Sequence, residues 1–476
     1  MARNGAGVVH LSIFHNDIEE FINSKKVNAD EKLRLKTLST AIIIPDKFME
    51  LLRDNSSRYF YTFYPKNVYD VTGIELADMN MSEWYDRLVE NKDIKKTQRD
   101  KLKIIQEIIK SQKESGFSYL IFIDTMNREH NLSQIGKITM SNLCSEISQL
   151  QTKSEFSEDM YSGNNNYGYD VQCVLSSLNL VNLFTENISD EDKMNVIISS
   201  MKFLSNVSDL SNNNKVPTLE KANKDFHSVG LGMMGLHTLF VKYGIEYESE
   251  EAKDLTNLLF SYIRFYSLYG SMEIAKERGK FKDFDKSDYA NGKALEKYFN
   301  GTIKLKPQTE KVKDIIDKMN IIIPNDRDWY ALNRDIMEYG LYNAYQLCIA
   351  PNQSSAYIME VSPSVAPVSS EVEFRDYGYL QTVYPMPLLT NENKHLYKSA
   401  YDIDQKKMLD LVRVMQDHID QSISTVVNIN SDTTMKEHLG IIIYAWKIGI
   451  KTLYYWRTKK QSIMADKEPV CESCSV

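Results

Sequence analysis

The stretch Thr40-Ala41-Ile42-Ile43-Ile44, stopped by Pro45, decides what fold we expect. It is short, continuously apolar and rich in β-branched residues, as a parallel strand covered on both faces usually is. A second run of this kind, Tyr119-Leu120-Ile121-Phe122-Ile123, follows Gly116. Between them lies a charged segment, residues 93–113, whose apolar residues recur at helical spacing. Buried strands that alternate with amphipathic helices predict an α/β fold.

Several other segments show a hydrophobic period typical of a strand or a helix. Alternation predicts strands over residues 9–14 and 171–180, and apolar spacing predicts a helix over residues 17–26. The glycine-containing segment from 228 to 241 is typical of a helix that packs closely, which we favour over a phosphate-binding loop. Residues 451–456 read as a strand, in which two adjacent tyrosines would point to opposite faces if the backbone were regular.

Composition narrows the functional classes. The chain has 476 residues, with 57 Lys and Arg against 65 Asp and Glu, so its net charge is −8. A chain of this length is larger than one hydrophobic core usually holds. Its net negative charge gives no overall positive field to attract nucleic acid. The apolar stretch 439–456 contains Lys447 and Lys451 and is too short to span a bilayer. The first residues have no signal-peptide pattern, so we expect a cytoplasmic protein.

The cysteines suggest chemistry rather than disulfide scaffolding. They are odd in number and irregularly spaced, at positions 144, 173, 348, 471 and 474. Cys348 lies in an apolar run and reads as an inert core thiol. Cys471 and Cys474 form a Cys-x-x-Cys pair on what we expect to be a flexible tail, which suits a redox dithiol. Half of a zinc site and an incidental pair remain alternatives.

Two short stretches carry candidate site residues. Asn142, Cys144 and Glu146 alternate, so in an extended loop an amide, a thiol and a carboxylate would project to one side and surround a small substrate. The alternative is a buried cysteine beside surface polar residues. The segment Pro351-Asn352-Gln353-Ser354-Ser355 suits either a phosphate cradle or a plain turn.

Taken in order, these motifs resemble the large (alpha) subunit of class I ribonucleotide reductase, most closely class Ib. The ordered set consists of the 142–146 motif, Cys173 on its predicted strand, the tyrosine pair at 454 and 455, and the terminal Cys-x-x-Cys. Further stretches are similar to that family at residues 5–11, 36–39, 44–48, 228–232 and 444–447. The resemblance extends over essentially the whole chain.

The resemblance implies an oxidoreductase that reduces ribonucleoside diphosphates to 2′-deoxyribonucleoside diphosphates for DNA synthesis. The chemistry would take place inside a ten-stranded α/β barrel with a central finger loop. It implies that Cys144 is the transient thiyl radical that abstracts the 3′ hydrogen. Glu146 would take the proton of the 3′ hydroxyl, and Asn142 would hydrogen-bond the ribose hydroxyls.

The same resemblance assigns the remaining thiols and the tyrosines. Cys173 would be one of two thiols that become a disulfide, which Cys471 and Cys474 would reduce with the help of a thioredoxin- or glutaredoxin-like protein. Tyr454 and Tyr455 would relay the radical from a separate small (beta) subunit that carries di-manganese or di-iron. This chain itself would bind no cofactor and no metal.

Nucleotide contacts are also implied. Residues 352–355 align with the substrate-phosphate loop, although the family's glycine-containing version is replaced here by Asn352, Gln353, Ser354 and Ser355. Arg3, Asn4 and Gly5 resemble the end of the loop that reports a bound allosteric effector.

The resemblance also gives a domain plan. Residues 1–150 would hold the remainder of the first half-barrel, with the end of the effector-reporting loop (the specificity loop) and the finger loop. Residues 151–456 would form the second half-barrel, and residues 457–476 a flexible redox tail. The family's N-terminal segment is not in this sequence, so the barrel would be incomplete. We expect a separate N-terminal piece as partner and a homodimer in the assembled enzyme. The alternatives are an inactive remnant of a split reductase and a zinc-binding interaction protein.

Overall fold

The structure is a computed structural model that describes residues 5–26, 32, 34–158, 165–211, 215–377 and 380–459. Its strands are β1 (Val8–Ser12), β2 (Ser39–Ile44), β3 (Tyr59–Phe63), β4 (Lys96–Asp100), β5 (Tyr119–Phe122), β6 (Leu175–Asn179), β7 (Gly230–Met234), β8 (Val372–Tyr377), β9 (Leu380–Pro385), β10 (Val427–Asn430), β11 (Thr452–Leu453) and β12 (Trp456–Lys459).

Its α-helices are α1 (Ile18–Asn23), α2 (Asp46–Arg53), α3 (Pro65–Thr72), α4 (Met81–Glu90), α5 (Lys101–Ser115), α6 (Ile123–Arg128), α7 (Leu180–Leu183), α8 (Asp190–Leu210), α9 (Pro217–Phe226), α10 (Leu236–Lys242), α11 (Glu250–Arg278), α12 (Glu310–Met319), α13 (Asp326–Tyr339), α14 (Ser354–Ile358), α15 (Gln405–Gln416) and α16 (Met435–Lys447). Helices and strands alternate along the chain, so the predicted α/β class is confirmed.

The described residues form two compact units. The first unit contains those of 1–128, 139–145 and 424–459, and the second contains those of 129–138 and 146–423. The half-barrels expected at 1–150 and 151–456 stay a prediction.

The first unit is built on a four-stranded sheet of order β1-β2-β5-β11. Its first three strands are parallel, with Ala41 opposite Tyr119, and β11 runs antiparallel to β5. All of β5 and most of β2 are buried, as the continuous apolar runs predicted. Phe14, Phe48 and Phe60 pack beside the sheet with ring centroids 5.2 to 6.2 Å apart.

The single helix predicted over residues 93–113 is wrong at its start. Residues 96–100 form β4, which pairs antiparallel with β3. The helix begins only after Asp100, whose carboxylate accepts hydrogen bonds from the backbone N–H groups of Leu102 and Lys103. The helix ends at Gly116, which adopts a positive φ of 79° that glycine accommodates without strain.

The second unit is organised around the long helix α11, which packs against α8, α13 and α15. One of its apolar clusters includes Trp329, whose ring stacks on Tyr298 with centroids 3.7 Å apart. Strands β6 and β7 pair in parallel, with Leu175 opposite Gly230. Parallel bridges from Leu231 to Leu347 and from Ile349 to Ile423 continue this arrangement.

Two predicted elements of this unit need correction. Within residues 228–241, the chain first forms strand β7 and only then helix α10, because residues 230–234 pair with β6. The strand predicted over 171–180 is shorter, since β6 begins at Leu175. The pairing of β6 with β7 joins segments far apart in the sequence, so the hydrophobic period within either segment does not reveal it.

A buried ion pair fixes the segment that follows Tyr345. Arg264 and Asp420 lie 3.2 Å apart, with 5% and 3% of their side chains exposed. Asp420 also accepts hydrogen bonds of 2.8 Å from the backbone N–H groups of Gln346 and Leu347. Arg264 donates to the Gln346 side chain and to the hydroxyl of Tyr289. Both charges are therefore compensated, and together they hold the chain just before Cys348.

Helices in the described ranges include none whose length and hydropathy would let it cross a membrane. The strands of the same ranges form separate sheets and no closed barrel.

We predict that Asp420→Asn strongly destabilises the protein. The substitution leaves the Arg264 charge buried without its carboxylate, which costs about 3–5 kcal/mol. Urea denaturation measures the change in the free energy of unfolding. The matched control is Asp335→Asn, which removes a solvent-accessible pair with Arg334 and should change stability far less. Equal effects of the two variants would contradict this role.

Candidate functional site

The 142–146 motif forms a turn. The backbone N–H of Ser145 donates to the carbonyl oxygen of Asn142 over 3.2 Å, and Ser145 has a φ of +65°. The hydroxyl of Ser424 donates to the carbonyl oxygen of Cys144 over 2.6 Å and so anchors the turn. The predicted extended loop is therefore wrong, because the positive φ breaks the strand-like alternation on which that prediction depended.

The turn places the Cys144 thiol against a tyrosine. The hydroxyl of Tyr454 lies 3.6 Å from the sulfur of Cys144, within hydrogen-bonding range for sulfur. Cys144 is half-buried, and Tyr454 is only 1% exposed. A phenol that touches a thiol in a largely dry environment is suited to exchange of a hydrogen atom between oxygen and sulfur.

Tyr454 belongs to a cluster of aromatic rings. Its ring centroid is 4.3 Å from that of Tyr455 and 4.6 Å from that of Tyr119. Tyr119 also contacts Tyr455 at 5.1 Å, and Phe117 packs on Tyr455 at 5.3 Å. Contacts at these distances give a continuous ring-to-ring path that ends at Cys144.

The two tyrosines lie in a break between two strands, and there their rings contact each other. Strand β11 ends at Leu453 and β12 begins at Trp456. The backbone N–H of Tyr454 donates to Thr425, and the carbonyl oxygen of Tyr455 accepts from Val427. The prediction that the two rings point to opposite faces applied only to a regular strand. It does not apply here, because residues 454 and 455 lie outside both strands.

A buried histidine stacks on Trp456, the residue that follows the tyrosine pair. The ring of His438 stacks on Trp456 with centroids 3.8 Å apart, and its Nε2 lies 2.9 Å from the side-chain oxygen of Gln112. Gln112 in turn donates to the carbonyl oxygen of Ser118. Burial lowers the pKa of His438 to about 3, with a smaller contribution from Lys113, so the ring is neutral at physiological pH.

The second unit holds the predicted site residues Glu146, Cys173 and 352–355. Glu146 is 2% exposed, and its carbonyl oxygen accepts from the backbone N–H of Ser422 over 3.0 Å. The hydroxyls of Ser148 and Ser422 hydrogen-bond each other and continue this connection. Cys173 is exposed and lies two residues before β6.

Cys348 is buried, which confirms the prediction of a core thiol. Its sulfur occupies the space where a side chain at position 230 would begin, since a Cβ built on Gly230 would lie 2.3 Å from it. Burial raises the pKa of this thiol well above its usual range, and the charges of Glu146 and Cys173 raise it further. Cys348 is therefore held as a neutral thiol.

The proposed phosphate segment is partly engaged within the protein. The side-chain oxygen of Asn352 accepts from the backbone N–H of Ser364 over 2.7 Å, and its amide nitrogen donates to Ser177 over 2.8 Å. Gln353 precedes helix α14, whose first turn contains Ser354 and Ser355. Phosphate contacts by these four residues stay a prediction.

Some predicted residues cannot be placed. Arg3 and Asn4 of the specificity loop, and Cys471 and Cys474 of the tail, lie outside the described residues. Gly5 is described and exposed. Across the described ranges, no group of three or more His, Cys, Asp or Glu side chains is arranged to hold a metal ion.

Sequence reasoning missed three contributors to the site. Tyr119 was interpreted only as part of a buried strand, and neither Phe117 nor Ser424 carried a signal. Tyr119 was detectable in principle, because a tyrosine hydroxyl in an otherwise apolar buried strand usually has a polar partner. Here the Tyr119 hydroxyl donates to Ser39 over 3.2 Å.

Comparison with known proteins decides the family. The model for the ribonucleotide reductase barrel domain matches residues 1–456. The chain belongs to the ribonucleotide reductase family. This confirms the resemblance that the ordered motifs indicated.

Individual relatives agree with this assignment. The chain is 38% identical to a ribonucleoside-diphosphate reductase subunit alpha of Bacillus subtilis, over 100% of the chain and 65% of the relative. It is 35% identical to the corresponding subunit of Mycoplasma genitalium, over 100% of the chain and 66% of the relative. It is 36% identical to the NrdEB subunit alpha of Bacillus phage SPbeta, over 86% of the chain and 37% of the relative. The chain thus spans just under two thirds of the length of the first two relatives.

We predict that His438 makes this reductase chain sensitive to acid. Its pKa is lowered in the folded state, so its stabilising effect is complete above the unfolded value of 6.5 and is lost as the pH falls towards 3. Between pH 6.5 and pH 4, His438→Gln should remove about 3 kcal/mol of the pH dependence of the free energy of unfolding.

Urea denaturation at a series of pH values measures this difference. His395→Gln is the control, because His395 is exposed. If the His438→Gln variant and the wild type lost stability equally on acidification, the neutral, stacked histidine would be ruled out.

Proposed function

We propose that this chain is the catalytic portion of a class I ribonucleoside-diphosphate reductase alpha subunit. It would reduce ribonucleoside diphosphates to their 2′-deoxy forms by radical chemistry, supplying DNA synthesis in the cytoplasm. The observation that carries the proposal is the 3.6 Å contact between the Tyr454 hydroxyl and the Cys144 thiol. A relay tyrosine and an acceptor thiol must touch for a hydrogen atom to pass between them.

Cys144 is the residue that becomes the thiyl radical and abstracts the 3′ hydrogen of the ribose. Glu146 takes the proton of the 3′ hydroxyl as general base, and Asn142 hydrogen-bonds the ribose hydroxyls. The near-complete burial of Glu146 supports its role, because a base shielded from water acts on the substrate without competition from solvent.

Cys173 is one of the two thiols that donate electrons and form a disulfide as the 2′ hydroxyl leaves as water. Its exposure, in contrast to the burial of Cys348, supports this choice of thiol, since thiol–disulfide exchange needs access. Cys471 and Cys474 then reduce the disulfide by exchange, and a thioredoxin- or glutaredoxin-like protein restores them.

Tyr454 and Tyr455 carry the oxidising equivalent from a small (beta) subunit with di-manganese or di-iron. Their ring contact of 4.3 Å supports transfer between them. A reductase that generated its radical locally would need no such pair. We therefore infer that this chain binds a beta subunit and holds no metal of its own.

The assembled enzyme would complete a ten-stranded α/β barrel with a separate N-terminal piece, and it would be a homodimer. The separate sheets of the described residues are consistent with this proposal. Substrate phosphates would meet residues 352–355, and the loop that ends at Gly5 would respond to an allosteric effector.

Reconstitution tests this proposal. The purified chain is combined with an upstream alpha-subunit segment, a beta subunit, a dithiol reductant and cytidine diphosphate, and deoxycytidine diphosphate is measured by chromatography. We expect product from the wild type and none from Cys144→Ser. The matched control is Cys348→Ala, which removes a buried thiol without an assigned role and should retain activity.

Product formation by Cys144→Ser would contradict the mechanism. No product from any wild-type assembly would favour an inactive remnant. Stoichiometric zinc detected by mass spectrometry in the same inactive chain would favour the zinc-binding alternative instead.

A further inference from the structure

A buried lysine lies at the outer end of the aromatic cluster and has no place in the mechanism above. Lys25 is 6% exposed, and its ammonium lies 4.4 Å from the centroid of the Phe117 ring. Phe117 packs on Tyr455 with centroids 5.3 Å apart. The ring of Phe117 therefore contacts both a positive charge and the first tyrosine of the relay.

Lys25 is held in this position by its own surroundings. Its ammonium donates to the carbonyl oxygen of Leu35 over 2.7 Å. The backbone N–H of Leu35 donates to Ser24 over 2.9 Å, so the two stretches of chain are tied together next to the lysine. The ammonium is thus fixed on the ring rather than free to extend into water.

Within the described part of the chain, the ammonium of Lys25 has a backbone carbonyl as its hydrogen-bond partner and no carboxylate. Among the described residues, no carboxylate lies within ion-pair distance of it. Glu107 on α5 is engaged by the neighbouring Lys26. Burial, and then the positive charge of Arg34, lower the pKa of Lys25 to about 8, so it still carries its proton at neutral pH.

We propose that Lys25 is a positioning residue for the tyrosine relay: its ammonium holds Phe117 against Tyr455 and places a positive charge close enough to change how readily the Tyr455 phenol releases its proton. The inference rests on the proposed function for its biological meaning, but the electrostatic effect is a property of this chain alone.

Distance and chemistry both support the effect. The two measured spacings put the ammonium within about 10 Å of the Tyr455 ring centroid, a range over which salt screens buried charges only weakly. A nearby positive charge favours the phenolate and lowers the pKa of a phenol. The cation also binds the face of Phe117, which fixes the ring that covers Tyr455.

The test uses a fluorinated probe at position 455. Tyr455 is replaced in the full chain by a tetrafluorotyrosine, whose phenol ionises below neutral pH while Lys25 is still protonated. Its titration is followed by ¹⁹F NMR in four backgrounds, which are the wild type, Lys25→Met, Lys25→Arg and Lys26→Met. Methionine keeps the length and packing of lysine without its charge, and circular dichroism verifies that each variant is folded.

We expect Lys25→Met to raise the pKa of the probe by roughly half a unit or more, because the stabilising charge is lost. Lys25→Arg should retain the wild-type value, because it keeps the charge. Lys26→Met should shift it less than Lys25→Met does, because the ammonium over the Phe117 ring stays in place. An unchanged pKa in Lys25→Met, or an equal shift in Lys26→Met, would overturn the proposal.

Turnover of the reconstituted enzyme gives a second readout. Lys25→Met should lower turnover without raising the KM for the nucleotide, and Lys25→Arg should restore it. A wild type that fails to turn over would count against the proposed function, and the ¹⁹F titration would still decide the role of Lys25.

Discussion

The contact between the Tyr454 hydroxyl and the Cys144 sulfur is the constraint on which the first unit depends. It requires a turn at the cysteine and a break in the strand at the tyrosine. The turn is fixed by the hydrogen bond from Ser424. The break is fixed by the main-chain hydrogen bonds that Thr425 accepts from Tyr454 and Val427 donates to Tyr455. Since residues 424–427 hold both partners, one short stretch of backbone sets the distance between phenol and thiol.

The three described cysteines occupy environments that fit them for different tasks. Cys348 is buried beside Gly230 and held neutral, and the Arg264–Asp420 pair fixes the chain that leads to it. Cys173 is exposed and therefore accessible to exchange. Cys144 is half-buried and touches a phenol. Burial and contact, rather than sequence neighbours, separate an inert thiol from the two that the proposed function uses.

The hydrophobic pattern of a short segment was enough to predict the elements whose burial depends on that segment alone. The runs at residues 40–44 and 119–123 are buried strands, because continuous apolar sequence has only the core to occupy. The segments 96–100 and 230–234 were misread as helical, because pairing with β3 and β6 outweighs a local period. No window of sequence contains those partners.

The candidate site was predictable in its residue types and not in its geometry. Asn142, Cys144 and Glu146 were found because an amide, a thiol and an acid recur in one short motif. The positive φ of Ser145 and the support from Ser424 depend on the fold and carry no sequence signature. The roles of Tyr119 and Lys25 could not be predicted either, because each follows from contacts with residues far away in the chain.

Freeze-quench electron paramagnetic resonance of the reconstituted enzyme tests the central claim most directly. With Tyr454→Phe, the account predicts that deoxynucleotide formation stops and that the radical is retained upstream of Cys144, whereas the exposed-site control Tyr330→Phe behaves like the wild type. Deoxynucleotide formation by Tyr454→Phe at the wild-type rate would contradict the account, because the thiol would then be oxidised without the phenol that touches it.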